Sequence, residues 1–191
     1  MQRTQSLAAA AAYFDDGGFF ADLQRRVAFR TESDTGAATP ALGAYLRDEL
    51  VPPLAALGFE CEIVENPVAG GGPFLIARRI EDPALPTVLS YGHGDVVSGQ
   101  DAQWDEGLGP WALTVRGDRW YGRGTADNKG QHTIALGGLA AALRARGGRL
   151  GYNITWLIET GEEAASPGLH AVCEQQRDRL RADLFIASDG P

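Results

Sequence analysis

The side chains best suited to chemistry in this chain form three short polar clusters, each in or beside a glycine-rich turn. The first cluster contains His93 and Asp95, which are two residues apart. In an extended backbone such side chains point the same way, so the carboxylate can hold one imidazole nitrogen while the other binds a metal. A histidine beside an aspartate is also common on solvated loops, and that alternative stays open at this point.

The second cluster is GRGTADNKG at residues 122–130, which brings Asp127 to the start of a predicted helix. A glycine-rich turn before a helix can also bind phosphate, but the Walker spacing and the full glycine pattern of a dinucleotide site are absent. Asp127 or Asn128 can instead cap the helix. The cluster therefore offers a ligand carboxylate, a helix cap, or both.

The third cluster is ETGEE at residues 159–163, at the end of an apolar strand pattern. Glu162 and Glu163 project in different directions there, which allows one to ligate a cation while the other faces a substrate. Two adjacent acids on a solvated surface are the ordinary alternative. Asp189 follows the last predicted strand. One imidazole and several carboxylates without a thiolate suit zinc, cobalt or manganese in a hydrolytic site.

The elements that position these clusters alternate between helical and extended patterns. Helices are predicted at residues 7–14, 16–30, 41–57, 128–146 and 169–181, and strands at 59–65, 74–80, 87–91, 113–115, 119–121, 152–159 and 183–187. Pro52 and Pro53 are expected to break or kink the second helix. The pattern predicts an α/β fold with a mixed, partly parallel sheet flanked by helices, and nothing marks a domain boundary inside residues 1–191.

Composition excludes several partners. The 17 Lys and Arg residues against 25 Asp and Glu residues give a net charge of -8, so the positive field that nucleic acid binding needs is absent. No run approaches the roughly 18 apolar residues of a membrane span, which argues against a membrane partner. Cys61 and Cys173 lie far apart in no CxxC spacing, which favours free thiols in a cytoplasmic protein.

Four motifs together carry a family resemblance. They are GHGDVV at residues 92–97, GRGTADNKG at 122–130, ETGEEAASPGL at 159–169 and SDG at 188–190. In this order and spacing they resemble the M20 metallopeptidases, a family of di-metal dipeptidases, carboxypeptidases and amino-acid deacylases. The resemblance implies a Zn-peptidase-like fold in which residues 1–191 form the N-terminal part of the catalytic domain, without the lid or dimerisation domain. We expect a fragment of a longer protein, since no helix covers the last strand.

The resemblance also implies two divalent metal ions, zinc above all, with cobalt or manganese as alternatives. It assigns four ligands, namely His93 and Asp189 on the first ion, Glu163 on the second, and Asp127 bridging both. The histidine that such enzymes contribute to the second metal from near the C-terminus is missing from this sequence. His132 and His170 lie within predicted helices, where ordinary packing or surface polarity is the better interpretation.

Two acids have catalytic roles by the same resemblance. Asp95 is implied to orient His93, and Glu162 to act as the general base that takes a proton from the attacking water. The peptide bond between Asp127 and Asn128 is expected to be cis. Aspartate at position 189 is typical of the family's dipeptidases and aminopeptidases, whereas glutamate is more usual in its deacylases.

The function implied is hydrolysis of the amide bond of a dipeptide or small peptide by a cytoplasmic enzyme. The nearest alternative is an N-acyl-amino-acid deacylase similar to acetylornithine deacetylase or succinyl-diaminopimelate desuccinylase. A different kind of alternative is that the 191-residue chain is an inactive truncated fragment. The full-length protein of such a family is a possible homodimer.

Overall fold

A computed structural model describes residues 2–34 and 39–189. Its strands are β1 (Glu60–Val64), β2 (Phe74–Arg79), β3 (Thr87–His93), β4 (Thr114–Arg116), β5 (Arg119–Tyr121), β6 (Asn153–Glu159) and β7 (Leu184–Ala187). Its α-helices are α1 (Gln2–Asp15), α2 (Gly18–Ala28), α3 (Pro40–Ala44), α4 (Val51–Ala56), α5 (Lys129–Ala145), α6 (Leu169–Gln175) and α7 (Arg177–Leu180). These elements lie close to the predicted ones.

Five strands form one sheet in the order β1-β2-β6-β3-β7, and β4 pairs with β5 as a separate hairpin. The first two pairings are antiparallel, whereas β3 is parallel to both β6 and β7. The predicted mixed, partly parallel sheet is therefore confirmed. Because the carboxyl ends of β3, β6 and β7 meet at one edge, the residues that follow these strands are brought together there.

Helices cover both faces of this sheet. On one face, Leu75 and Ala77 of β2 pack with the helical segments around Leu46, Leu54 and Leu136. On the other, the alternate residues Phe74 and Ile76 pack with Val172 and Leu180 of α6 and α7. Every residue of β6 is buried, which explains why its sequence is mostly apolar and does not alternate between apolar and charged residues.

Two helical predictions differ in detail from the structure. Residues 41–57 were expected to kink at Pro52 and Pro53, and the irregularity is instead a π-helical turn at Tyr45–Leu50. The prolines follow in the first turn of α4, where a missing N–H costs no hydrogen bond. The single helix predicted at 169–181 is divided at Gln176. Within the described ranges, no helix combines the length and the apolar character needed to cross a membrane.

Candidate metal centre

Three of the four predicted metal ligands meet at the carboxyl edge of the parallel strands. His93 ends β3, Asp189 lies two residues beyond β7, and Asp127 lies two residues before the start of α5. The Nε2 atom of His93 lies 2.8 Å from Asp127 Oδ1 and 3.7 Å from Asp189 Oδ1. One ligand atom from each of the three lies within 4.8 Å of the others, an arrangement that fits a divalent metal ion.

The imidazole of His93 is fixed with one nitrogen directed toward the two carboxylates. The side chain is fully buried, and its Nδ1 lies 3.1 Å from the main-chain oxygen of Asp95 and 3.3 Å from that residue's Oδ1. These neighbours are acceptors, so Nδ1 donates to them, and Nε2, which faces the carboxylates of Asp127 and Asp189, is the nitrogen that a metal can use once its own proton is lost. Burial opposes a charge on His93, but Asp95 and Asp127 outweigh it and raise the pKa to about 9. A metal must therefore displace a proton at neutral pH.

The buried carboxylate of Asp95 links His93 to the turn that carries the two predicted glutamates. Its Oδ2 accepts hydrogen bonds from Ser33 Oγ at 2.5 Å and from the main-chain N–H of Glu163 at 3.1 Å. Its Oδ1 accepts from the main-chain N–H of Glu162 at 3.2 Å. Burial raises the pKa of Asp95, but the contacts with His93 and Ser33 outweigh it and hold the pKa below its usual value. Asp95 therefore makes the contact with His93 that the predicted orienting role requires. Its hydrogen bonds to the main chain of Glu162 and Glu163 were not predicted from the sequence.

Asp127 and Asn128 are joined by a cis peptide bond, as the resemblance implied. The Asp127 side chain is 55% exposed, so its carboxylate is accessible from the solvent side of the cluster. Asn128 is buried, and its Oδ1 accepts a hydrogen bond from the main-chain N–H of His93 at 3.3 Å. Its Nδ2 donates to the main-chain oxygen of Ser188 at 2.5 Å and lies 3.3 Å from Asp189 Oδ1. Asn128 thus joins the ends of β3 and β7, and it makes no side-chain cap of α5.

Glu162 and Glu163 lie beside the three-residue cluster rather than in it. They begin a short 3₁₀ turn, Glu162–Ala164, that follows β6. The group whose ligand atoms approach one another comprises His93, Asp127 and Asp189 among the described residues. Burial, followed by the negative charge of Asp127, raises the pKa of Glu163. The structure thus places Glu163 in the electrostatic field of the cluster without making it a fourth member.

The remaining histidines do not join the cluster, in agreement with their prediction. His132 is buried, and its Nε2 lies 2.5 Å from the hydroxyl of Tyr45. Burial, together with the positive charge of Arg26, holds the pKa of His132 well below its usual value. His170 is exposed on α6, with its Nδ1 4.0 Å from Glu174 Oε2.

Three buried polar residues near the cluster make contacts that the sequence did not predict. Ser33 and Asn128 make the hydrogen bonds described above. Lys129 donates from Nζ to the main-chain oxygen of Phe29 at 2.7 Å, and burial lowers its pKa to about 7. Position in the GRGTADNKG motif could have pointed to Asn128 and Lys129, but Ser33 stands in no comparable motif.

Comparison with known proteins places the chain in a family. The sequence model of peptidase family M20/M25/M40 matches residues 89–190. The chain belongs to this family, which confirms the resemblance drawn from the four motifs. The matched region contains His93, Asp127 and Asp189, so the cluster lies within the part of the chain that defines the family.

Individual relatives are dipeptidases and deacylases. Beta-Ala-His dipeptidase of Mus musculus is 37% identical over 121 residues, which is 61% of this chain and 24% of that protein. A Cys-Gly metallodipeptidase of Candida albicans is 31% identical over 187 residues, 90% of this chain and 38% of that protein. The crystal structure of human carnosine dipeptidase 1 matches with a TM-score of 0.83 at 28% identity, covering 98% of this chain and 41% of that one. The chain therefore spans less than half the length of these relatives.

Proposed function

We propose that this chain supplies the metal-binding part of a hydrolase that cleaves the amide bonds of dipeptides or other small peptides. The observation that carries the proposal is the meeting of His93, Asp127 and Asp189 at the carboxyl edge of the sheet. Relatives named as dipeptidases for Beta-Ala-His and Cys-Gly support this substrate class.

The proposed site holds two divalent metal ions, with zinc as the first choice and cobalt or manganese as alternatives. His93, Asp127 and Asp189 would hold the first ion, and Asp127 with Glu163 would hold the second. Such ions polarise a carbonyl group and lower the pKa of water. The donor set of nitrogen and oxygen atoms fits these metals, since the described cluster contains no thiolate.

The chain's own acids would move the protons of the reaction. Glu162 would accept a proton from the attacking water and deliver it to the leaving amine. Asp95 would keep His93 oriented, and it holds the main-chain N–H groups of Glu162 and Glu163 at the same time. The general base is therefore carried on a turn that is bonded to the residue orienting a metal ligand.

Metal content is the decisive first experiment. We expect the purified 191-residue chain to bind zinc and the Asp127→Asn variant to lose it, because the proposed ions share this carboxylate. Asp118→Asn is the matched control, since Asp118 is exposed on the β4–β5 turn. Zinc retained in Asp127→Asn would contradict the ligand assignment. Zinc absent from the wild-type chain would favour the alternative of an inactive fragment.

The role of Glu162 is tested by turnover of dipeptides in a protein that contains this chain. General acid–base catalysis contributes about 10²–10⁴-fold, so Glu162→Gln should lower kcat by that factor. Glu174→Gln on the exposed face of α6 is the control and should leave kcat unchanged. Turnover of Glu162→Gln within about tenfold of wild type would refute the assignment.

N-acyl-amino-acid deacylation is the second candidate. Succinyl-diaminopimelate desuccinylase of Herminiimonas arsenicoxydans is 33% identical over 135 residues, which is 70% of this chain and 34% of that protein. Aspartate at position 189 favours a dipeptidase by the family resemblance. A substrate panel that sets dipeptides against N-acetyl and N-succinyl amino acids distinguishes the two.

The wider setting of the chain is also a proposal. Residues 1–191 would be the N-terminal part of a catalytic domain, in a full-length protein that forms a homodimer. A cytoplasmic location is supported by Cys61 and Cys173, both of which are free thiols, as expected in a reducing compartment.

A further inference from the structure

Glu159 is a buried acid that the proposed mechanism does not use. It is the last residue of β6 and is fully buried. Its Oε1 accepts hydrogen bonds from the hydroxyl of Tyr91 at 2.6 Å and from that of Ser166 at 3.0 Å. Its Oε2 is buried and has no hydrogen-bond partner among the described residues. Burying a carboxyl group with one oxygen unbonded costs folding free energy, so the contacts of Glu159 need a physical explanation.

The turn that follows Glu159 contains two residues in an unfavourable backbone conformation. Ala165 and Ser166 both have positive φ, at 65° and 51°, a region that residues other than glycine rarely occupy. The main-chain N–H of Ser166 bonds to the oxygen of Gly161 at 2.8 Å, and that of Ala165 bonds to Glu162 at 2.9 Å. The hydroxyl of Ser166 then adds the bond to Glu159, which fastens the end of the turn to β6.

Two carboxylates thus hold the glutamate turn from opposite ends. Asp95 accepts the main-chain N–H groups of Glu162 and Glu163 at its beginning, and Glu159 accepts the hydroxyl of Ser166 at its end. Glu159 also accepts the hydroxyl of Tyr91, which lies on β3 two residues before the metal-ligand candidate at the strand's end. One buried side chain therefore joins the turn to the neighbouring strand of the site.

We propose that Glu159 is a positioning residue that, through Ser166 and Tyr91, fixes the turn carrying Glu162 and Glu163 relative to β3. The proposal deepens the proposed function and rests on it for the roles of those two glutamates. What Glu159 supplies is an acceptor oxygen for two hydroxyl groups rather than a charge. In agreement with this, burial raises the pKa of Glu159, although the bonds from Tyr91 and Ser166 oppose the shift.

Amide hydrogen exchange of the metal-free 191-residue chain measures the turn directly, without reference to activity. In Ser166→Ala we expect the amides of Glu162 and Glu163 to exchange about three- to tenfold faster, because the turn loses one hydrogen bond. The amide of Trp156, in the middle of β6, should keep its rate. Ser6→Ala, which removes a hydroxyl bonded only within α1, is the control and should change neither amide of the turn.

Two substitutions of Glu159 separate an acceptor role from simple packing. Glu159→Gln keeps an acceptor oxygen for both hydroxyls, so the turn amides should stay within about twofold of wild type. Glu159→Leu has no acceptor, and its turn amides should exchange at least as fast as those of Ser166→Ala. If Glu159→Leu does not fold, Tyr91→Phe takes its place, because it removes one of the two bonds without removing the acid.

Unchanged exchange at Glu162 and Glu163 in both Ser166→Ala and Glu159→Leu (or Tyr91→Phe in its place) would overturn the proposal. Equal acceleration in Glu159→Gln and Glu159→Leu would overturn it as well, since an acceptor oxygen would then not be what holds the turn. Zinc binding is recorded on the same samples. If the variants show the expected exchange pattern but the wild-type chain binds no zinc, the inactive-fragment alternative is favoured over the proposed function, and the positioning role still stands.

Discussion

Replacing Asp95 by asparagine tests how much of the site depends on one buried carboxylate. The carboxylate accepts from Ser33 and from the main-chain N–H groups of Glu162 and Glu163, and it lies beside Nδ1 of His93. An amide keeps one acceptor oxygen and replaces the other with an NH₂ donor. In either orientation, that NH₂ group faces a main-chain N–H that has lost its acceptor. An unsatisfied buried N–H costs about 1–3 kcal/mol, so the free energy of unfolding should fall by that amount.

The charge of His93 adds a dependence on pH. The pKa of His93 rises from 6.5 to about 9 in the folded chain, and one pKa unit corresponds to about 1.4 kcal/mol. The stabilisation, roughly 3 kcal/mol from Asp95 and Asp127 together, is fully present below pH 6.5 and is lost as the pH rises through about 9. The stability lost in Asp95→Asn should therefore be larger at pH 6.5 than at pH 10.

The assay is urea unfolding in the presence of a chelator at several pH values, with an NMR titration of the His93 ring. Asp118→Asn on the exposed β4–β5 turn is the matched control and should leave both measurements unchanged. In Asp95→Asn the pKa of His93 should move from about 9 toward 6.5. A variant with wild-type stability and a His93 pKa still near 9 would refute this account of Asp95.

Three further predictions concern single contacts. Ser33→Ala removes a hydrogen bond to a charged acceptor and should lower the free energy of unfolding by about 1.5–3 kcal/mol in urea; no change would mean that Asp95 does not depend on this hydroxyl. Zinc affinity, measured by calorimetry, should weaken as the pH falls below about 9, because His93 must lose its proton; a constant affinity between pH 7 and 9 would contradict this. Tyr45→Phe removes the hydroxyl beside the ring of His132 and should cost about 1 kcal/mol, whereas equal urea midpoints would show that the bond contributes nothing.

The spacing of apolar residues predicted much of the fold, because an element that buries one face must repeat apolar residues at short, regular intervals. The apolar run of β6 and the turn formers around it were enough to place a buried strand. The family resemblance assigned His93 and Asp189 to one ion, and the two side chains meet because parallel strands bring their carboxyl ends to one edge of the sheet. The π-helical turn at Tyr45–Leu50 was missed, since no local residue preference distinguishes it from an α-helix.

Contacts between segments that are distant in the sequence could not be predicted from the spacing of apolar residues. Ser33 reaches Asp95 across 62 residues, and it lies in a loop without periodicity. Gly94 lies in the GHGDVV motif, but the motif does not show that a Cβ atom there would lie 2.9 Å from the ring of Tyr45. The glycine is required because an aromatic side chain from the π-helical turn packs against the backbone between His93 and Asp95. Such requirements are set by packing and become visible only in three dimensions.

β7, the strand that precedes Asp189, lies at the edge of the sheet formed by the described residues. Among the described residues β7 pairs only with β3, and each of its four residues is exposed. Edge strands of this kind open locally at a lower free energy than the buried centre of a sheet. Because Asp189 lies two residues beyond β7, each opening would withdraw one of the three candidate ligands. If Asp189 holds an ion as proposed, the time for which that ion stays bound would depend on how often this four-residue strand opens, and a contact that covers the strand would slow release of the ion.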